Sequence, residues 1–119
     1  MLRKATLALA LVAAPVAAQD GNDDLAMREV VAQCEGESAF GETDVFSCWQ
    51  YIDGVISSSS FTARMLQMDP IFCLPEIYSR RMLRESVLAW VSKNEAVIDL
   101  PAHVVILTAM ERQYPCRQG

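Results

Sequence analysis

Residues 48–54 read CWQYIDG and bring a cysteine, two aromatic side chains and a glycine together within seven residues. The stretch belongs to a longer run in which apolar residues recur at steps of three and four, as in a helix with one buried face. That run comprises Val45, Cys48, Trp49, Ile52, Val55 and Ile56. A glycine inside a helix costs about 1 kcal/mol relative to alanine, so we expect Gly54 to permit the close approach of another helix, in the same chain or in a second copy. The stretch predicts a core helix, with Cys48, Trp49, Ile52 and Val55 buried or cross-linked.

The same periodicity predicts a first helix over residues 25–34 and extends the second helix downstream. Thr43 or Asp44 is suited to cap the second helix, because either side chain accepts a hydrogen bond from a free backbone N–H group. The four serines at 57–60 are interpreted as the polar end of this helix rather than a linker. The apolar pattern continues past them through Phe61, Met65 and Leu66.

Two prolines introduce the remaining helices. Pro75 suits the first turn of a third helix and Pro101 opens a fourth over about residues 100–113, since the missing N–H of proline has no helical partner there. The segment VVIL at 104–107 is interpreted as helix, because a single buried strand would have no partner. The third helix shows an apolar face of Ile77, Leu83, Val87, Trp90 and Val91 and a solvated face of Arg80, Arg81, Arg84 and Glu85. The fold class is therefore all-α, a small four-helix bundle-like domain.

The N-terminal residues 1–18, MLRKATLALALVAAPVAA, have the pattern of a secretory signal peptide. A basic start precedes an uncharged apolar segment that is shorter than the ~20 residues needed to span a bilayer. We expect cleavage after Ala18, a flexible stretch at 19–24 and a single exported domain at 25–116 with no membrane span.

The charge balance excludes some partners. The chain has 10 basic and 15 acidic residues, a net charge of −5. Loss of Arg3 and Lys4 with the signal leaves eight basic residues and a net charge of −7. Such a domain does not suit nucleic acid or anionic lipid, which attract basic patches. The charge is compatible with a basic protein partner, or it only keeps the domain soluble.

All four cysteines lie after the predicted cleavage site, and an even number in a small exported domain favours structural disulfides. Cys34 ends the first helix and Cys48 lies in the first turns of the second, whereas Cys73 precedes the third and Cys116 follows the fourth. In an up-down bundle these pairs lie at opposite ends. Of the three pairings, this favours Cys34–Cys48 with Cys73–Cys116, and the second bridge should stabilise by about 4 kcal/mol.

The sequence offers no pattern for catalysis, a metal or a cofactor. No two cysteines have the C-x-x-C spacing, and the single histidine, His103, has no neighbouring ligand to complete a metal site. No serine, cysteine or histidine arrangement supplies an activated nucleophile. We therefore expect a non-catalytic protein without a cofactor.

Four short motifs follow one another along the predicted domain. They are C-x-x-Y-x-x-G (Cys48, Tyr51, Gly54), C-L-P (Cys73, Leu74, Pro75), P-A (Pro101, Ala102) and Y-P-C (Tyr114, Pro115, Cys116). In this order the chain resembles the Rap/Tai family of periplasmic immunity proteins, which protect bacteria from the amidase effectors of type VI secretion. The resemblance implies a periplasmic, disulfide-linked helical domain, often a homodimer, that binds a peptidoglycan amidase and blocks its active site.

The resemblance also implies an inhibitory loop between the late helices, which here corresponds to residues 94–100. The candidate binding residues are Asn94, Glu95, Val97, Ile98 and Asp99. Acidic residues flank an apolar tip, and exposed apolar groups rimmed by charge are typical of partner-binding patches. Alternatively the tip folds back on the bundle, as loops commonly do. After its third helix the family commonly has a proline-containing turn, whereas this chain reads KNEAVID. The resemblance therefore does not identify the effector.

Two other classes of protein share several of these features. One is an acid-stress periplasmic chaperone, although such proteins tend to be richer in lysine and lack the C-L-P and Y-P-C motifs. The other is an envelope adaptor without catalytic activity. A neighbouring gene for a secreted amidase would favour the immunity protein over both.

Overall fold

The computed structural model describes residues 24–36 and 42–117. They form α1 (Met27–Cys34), α2 (Glu42–Met65), α3 (Arg80–Lys93), a 3₁₀ helix (Glu95–Val97) and α4 (Ala102–Gln113). The predicted all-helical class with two disulfides is confirmed. The predicted signal peptide at 1–18 and most of the stretch at 19–24 lie outside the described residues.

The core lies where the four helices meet. α1 packs on α2, and α4 packs on the other three helices. The largest side chains with no exposure include Met27, Ile52, Ile106 and Met110. Burial of each such side chain stabilises the fold by about 1.5–3 kcal/mol. The segment VVIL is helical as predicted, and α4 buries its Val105 and Ile106 in this core.

The first turns of α1 and α4 are capped by each other's flanking backbone. The N–H of Met27 donates to the carbonyl of Leu100 at 2.9 Å, and the N–H of Ala102 donates to the carbonyl of Leu25 at 2.7 Å. The residues before the two helices, Ala26 and Pro101, provide no side-chain cap. These tertiary hydrogen bonds therefore satisfy N–H groups that a helix start leaves unpaired, and they join the segment after α3 to α1.

The disulfides pair Cys34 with Cys48 and Cys73 with Cys116, as the helix-end argument predicts. Their Cα atoms lie 5.1 and 4.9 Å apart. The second bridge fastens the segment after α2 to the end of the chain, where the N–H of Cys73 also donates to the carbonyl of Tyr114 at 2.8 Å.

The predicted start of α3 at Pro75 is wrong, because the helix begins at Arg80. Ser79 caps it, and its hydroxyl accepts a hydrogen bond from the N–H of Met82 at 3.1 Å. The disulfide at Cys73 keeps the segment between Cys73 and Ser79 out of helical conformation. Ile77, assigned by the sequence to the apolar face, is consequently 89% exposed.

The predicted burial of Trp49 is also wrong, since 42% of its surface is exposed. The guanidinium of Arg84 lies over the indole ring, 4.7 Å from its centroid, and donates to the carboxylate of Asp53 at 3.2 Å. The cation attracts the negative face of the ring, so it holds the indole at the surface, beside α3. Arg84, expected on a solvated face, is largely buried by this arrangement.

α2 is continuous through the four serines, as predicted, but two details differ. It begins at Glu42, so Thr43 and Asp44 lie in its first turn instead of capping it. Its final apolar residues, Phe61 and Met65, are exposed rather than buried. The reason is length: α2 has 24 residues and α3 has 14, or about 36 and 21 Å at 1.5 Å per residue.

Candidate partner-binding surfaces

The loop at 94–100 is held against the start of α1 by its backbone. The N–H of Arg28 donates to the carbonyl of Ile98 at 2.7 Å, beside the bond between Met27 and Leu100. The 3₁₀ helix Glu95–Val97 gives the loop hydrogen bonds of its own. The loop therefore has one defined conformation on the outside of the domain.

Two side-chain contacts fix the ends of this loop. The amide of Asn94 donates to the carbonyl of Trp90 at 2.8 Å, and the guanidinium of Arg28 pairs with the carboxylate of Asp99 at 2.9 Å. The hydrogen bond and charge of Arg28 lower the pKa of Asp99, and the same contact raises the pKa of Arg28. Both side chains remain largely exposed, so the pair stays accessible to solvent and salt.

The loop divides its candidate residues between the bundle and the solvent. Val97 is half-buried and packs against the core, and Ile98 is half-buried as well. Glu95, Ala96 and Asp99 are exposed. Leu100, at the end of the loop, is 48% exposed. The surface offered to a partner is thus two carboxylates beside small and apolar groups.

A second exposed surface runs along α2, and the sequence analysis missed it. Its members recur at helical spacing on the side of α2 that faces away from the core; we call them the outer stripe, Gln50, Gly54, Ser57, Ser58, Phe61 and Met65. A Cβ added at Gly54 would meet no atom within 4 Å, so the expected close approach of a helix within the same chain is wrong. The signal that could have found the stripe is the recurrence of small residues at 54, 57 and 58 in line with Phe61.

The remaining motif residues support the fold. Tyr51 is half-buried beside the core, and this burial, helped by the charge of Asp24, raises the pKa of its phenol. The hydroxyl of Tyr114 lies 2.7 Å from that of Ser86 and ties the end of the chain to α3. Leu74 packs against the core, Pro75 and Pro101 are half-buried, and Pro115 is exposed.

Residues 26–116 match the family model of the Rap1a immunity proteins. The chain belongs to this family. The match includes all four helices, both disulfides, the loop at 94–100 and the outer stripe. No curated protein and no solved structure gives a significant match.

Over residues 24–36 and 42–117, this Rap1a family member holds no group of three or more histidine, cysteine or acidic residues placed to bind a metal. All four cysteines are consumed in the bridges. His103 is exposed on α4. No described helix has the length and hydropathy to cross a membrane.

Proposed function

We propose that this Rap1a family member is a non-catalytic periplasmic immunity protein that binds and inhibits a peptidoglycan amidase delivered by type VI secretion. The family match over residues 26–116 carries the proposal. Two disulfides in a small domain fit an oxidising compartment such as the periplasm, and the signal-like residues 1–18 fit export to it.

The loop at 94–100 is the proposed inhibitory element. Its backbone bonds to Met27 and Arg28 already hold it in one conformation. A preorganised loop loses little conformational entropy on binding, which leaves more of its contact energy as affinity. Glu95, Ala96 and Leu100 would enter the mouth of the amidase, whereas Val97 would anchor the loop to the bundle.

Charge supports the same arrangement. The mature domain would carry seven net negative charges, and Glu95 and Asp99 add exposed carboxylates at the loop itself. Opposite charge accelerates encounter with a basic enzyme and fixes its orientation. We therefore expect the association rate to fall as salt is raised.

The test replaces exposed loop residues and leaves the core-packed Val97 in place. Glu95→Arg and Ala96→Arg should each weaken binding of the amidase that the protein inhibits by at least about tenfold, because each puts a cation into a contact suited to an anion. Glu111→Arg, the same charge change at an exposed position on α4, should bind normally. Calorimetric titration gives the affinities, and unchanged melting temperatures show intact folding. Normal inhibition by both loop variants would show that another surface blocks the enzyme.

We also infer that the outer stripe holds a second copy of the chain. If two α2 helices cross antiparallel with a two-fold axis between Ser57 and Ser58, Phe61 of each copy meets Gly54 of the other. The open space above Gly54 would accept an aromatic ring, and Phe61 is 62% exposed. The contact is self-complementary, as a two-fold interface requires.

A further inference from the structure

A hollow between α2 and α3 is lined by two arginines, although the protein as a whole is acidic. Its volume is about 260 Å³. α2 contributes Ser57, Ser60 and Arg64, α3 contributes Arg80, and Tyr78 closes one side. The remaining lining is mostly apolar, from Ile56, Phe61, Leu74 and Leu83.

The two arginines in this hollow differ from their neighbours in having no acidic partner. Arg28, Arg81 and Arg84 each contact a carboxylate within 3.2 Å. Within residues 24–36 and 42–117, Arg64 and Arg80 make no ion pair. Both arginines line the hollow and are exposed to solvent, so an anion bound there would interact favourably with two positive charges.

The other polar groups of the hollow do not cancel this charge. Asp53 also lines it, but its carboxylate already accepts a hydrogen bond from Arg84 at 3.2 Å. The hydroxyls of Ser57, Ser60 and Tyr78 form no hydrogen bond to any described residue, so they remain free to donate. The first turn of α3, which begins at Arg80, adds partial positive charge.

We propose that this hollow binds a carboxylate whose neighbouring atoms are apolar. A guanidinium grips a carboxylate through two parallel N–H···O bonds, and two such groups with adjacent hydroxyls can satisfy both carboxylate oxygens. The apolar wall of Ile56, Leu74 and Leu83 accepts the carbon atoms next to the carboxylate. The volume, just below the range of about 300–1,000 Å³ for drug-sized ligands, fits one acidic residue or one chain end.

This binding site is separate from the proposed inhibitory loop. The loop follows the C-terminal end of α3, about 20 Å from Arg80 along the helix axis. The proposal therefore stands whether or not the protein inhibits an amidase. Ser57 and Phe61 belong to both the hollow and the outer stripe, so the test relies on Arg64 and Arg80, which lie outside the stripe.

The experiment titrates the isotope-labelled mature protein and follows backbone amide shifts by NMR. N-acetylglutamate represents a free small acid, a short peptide with a free C-terminal carboxylate represents a protein chain end, and inorganic phosphate represents other oxyanions. Saturable shifts at Arg64 and Arg80 with either carboxylate support the proposal, and the tighter of the two ligands identifies the source. Phosphate binding more tightly than both acids would overturn the carboxylate assignment.

Matched variants separate a built site from general attraction. Arg64→Gln and Arg80→Gln should each weaken binding of the carboxylate ligand by at least about tenfold, because each variant loses a charge-assisted hydrogen bond. Arg112→Gln, the same change at an exposed position of α4, should leave binding unchanged. An amidated peptide that binds as well as the free acid, or equal losses in all three variants, would refute the proposal. Absence of saturable shifts with both acids would refute it too.

Discussion

At the scale of single residues, helical periodicity predicts burial well except where a side chain has an alternative partner. Cys48 and Ile52 are fully buried as predicted, but Trp49 turns to the rim because Arg84 stacks on it. Arg84 comes from α3, and no pattern in α2 reveals that contact. Gly54 is similar: its place in the helix is predictable from sequence, but the open space around it is not.

Gly54→Ala should separate two effects at one position. Alanine favours the helix by up to about 1 kcal/mol, and its Cβ meets nothing within the chain, so the dilute monomer should gain stability. In the proposed dimer the methyl group would occupy the space of Phe61 from the second copy and weaken association. Urea unfolding at low concentration and analytical ultracentrifugation measure the two effects. A variant that gains stability and associates normally would remove Gly54 from the interface.

The pair between Arg28 and Asp99 predicts a pH dependence of definite sign. Arg28 lowers the folded-state pKa of Asp99 below its ordinary value of 3.8, so the folded state holds this proton less tightly than the unfolded state. The resulting stability is present above the ordinary pKa and disappears as pH falls through the folded pKa. Asp99→Asn should therefore lower the melting temperature slightly at neutral pH and not at about pH 2.

Glu95→Gln provides the control, because within the described part of the chain this nearby carboxylate forms no ion pair. It should show a smaller difference at neutral pH than Asp99→Asn does. The effect of Asp99→Asn should also shrink in ~1 M salt, because both partners are largely exposed and salt screens the attraction between exposed charges. If Asp99→Asn still lowers the melting temperature at the lowest pH, its effect comes from loop packing and not from the ion pair with Arg28.

At the scale of elements, the existence and type of the four α-helices could be predicted, but the starts of α2 and α3 could not. The apolar spacing holds in the structure for α1 and α4 and for α2 as far as Ile56, because each of these stretches buries a face in one core. The predicted start of α3 is wrong, since Pro75 and Ser79 are both acceptable first residues for a helix and the local sequence does not distinguish between them. The bridge from Cys73 to Cys116, a tertiary constraint, favours Ser79.

Ser79→Ala tests that explanation. Loss of the hydroxyl leaves the N–H of Met82 without its cap, which should cost about 1 kcal/mol of unfolding free energy. Ser47→Ala, at an exposed position within α2, should be neutral or slightly stabilising because alanine is the better helix former. Chemical unfolding of both variants provides the comparison. If Ser79→Ala has no effect, Pro75 and the bridge define the start of α3 without the cap.

At the scale of the whole molecule, the disulfide pairing was predictable because helix ends define the ends of a bundle. The candidate partner-binding surfaces could be predicted only in part. The loop at 94–100 came from a family resemblance, and its attachment to α1 depends on backbone bonds between residues about 70 positions apart, a separation that periodicity cannot bridge. The exposure of Phe61 and Met65 at the end of the outer stripe follows from the unequal lengths of α2 and α3, which depended on the start of α3.

Phe61→Arg tests the outer stripe as the interface between two copies. In the proposed antiparallel crossing the change places one unpaired cation against Gly54 of each copy and removes it from water, so the dimer should dissociate at least about 100-fold more readily. The monomer should keep its fold, because Phe61 is already 62% exposed.

Ile77→Arg is the control, because it replaces a side chain that is 89% exposed and lies outside α2. It should leave the dimer intact. Sedimentation equilibrium over a range of concentrations measures both. Equal association of the two variants would move the interface away from α2, and a wild-type chain that stays monomeric at high concentration would remove the second copy from the proposal.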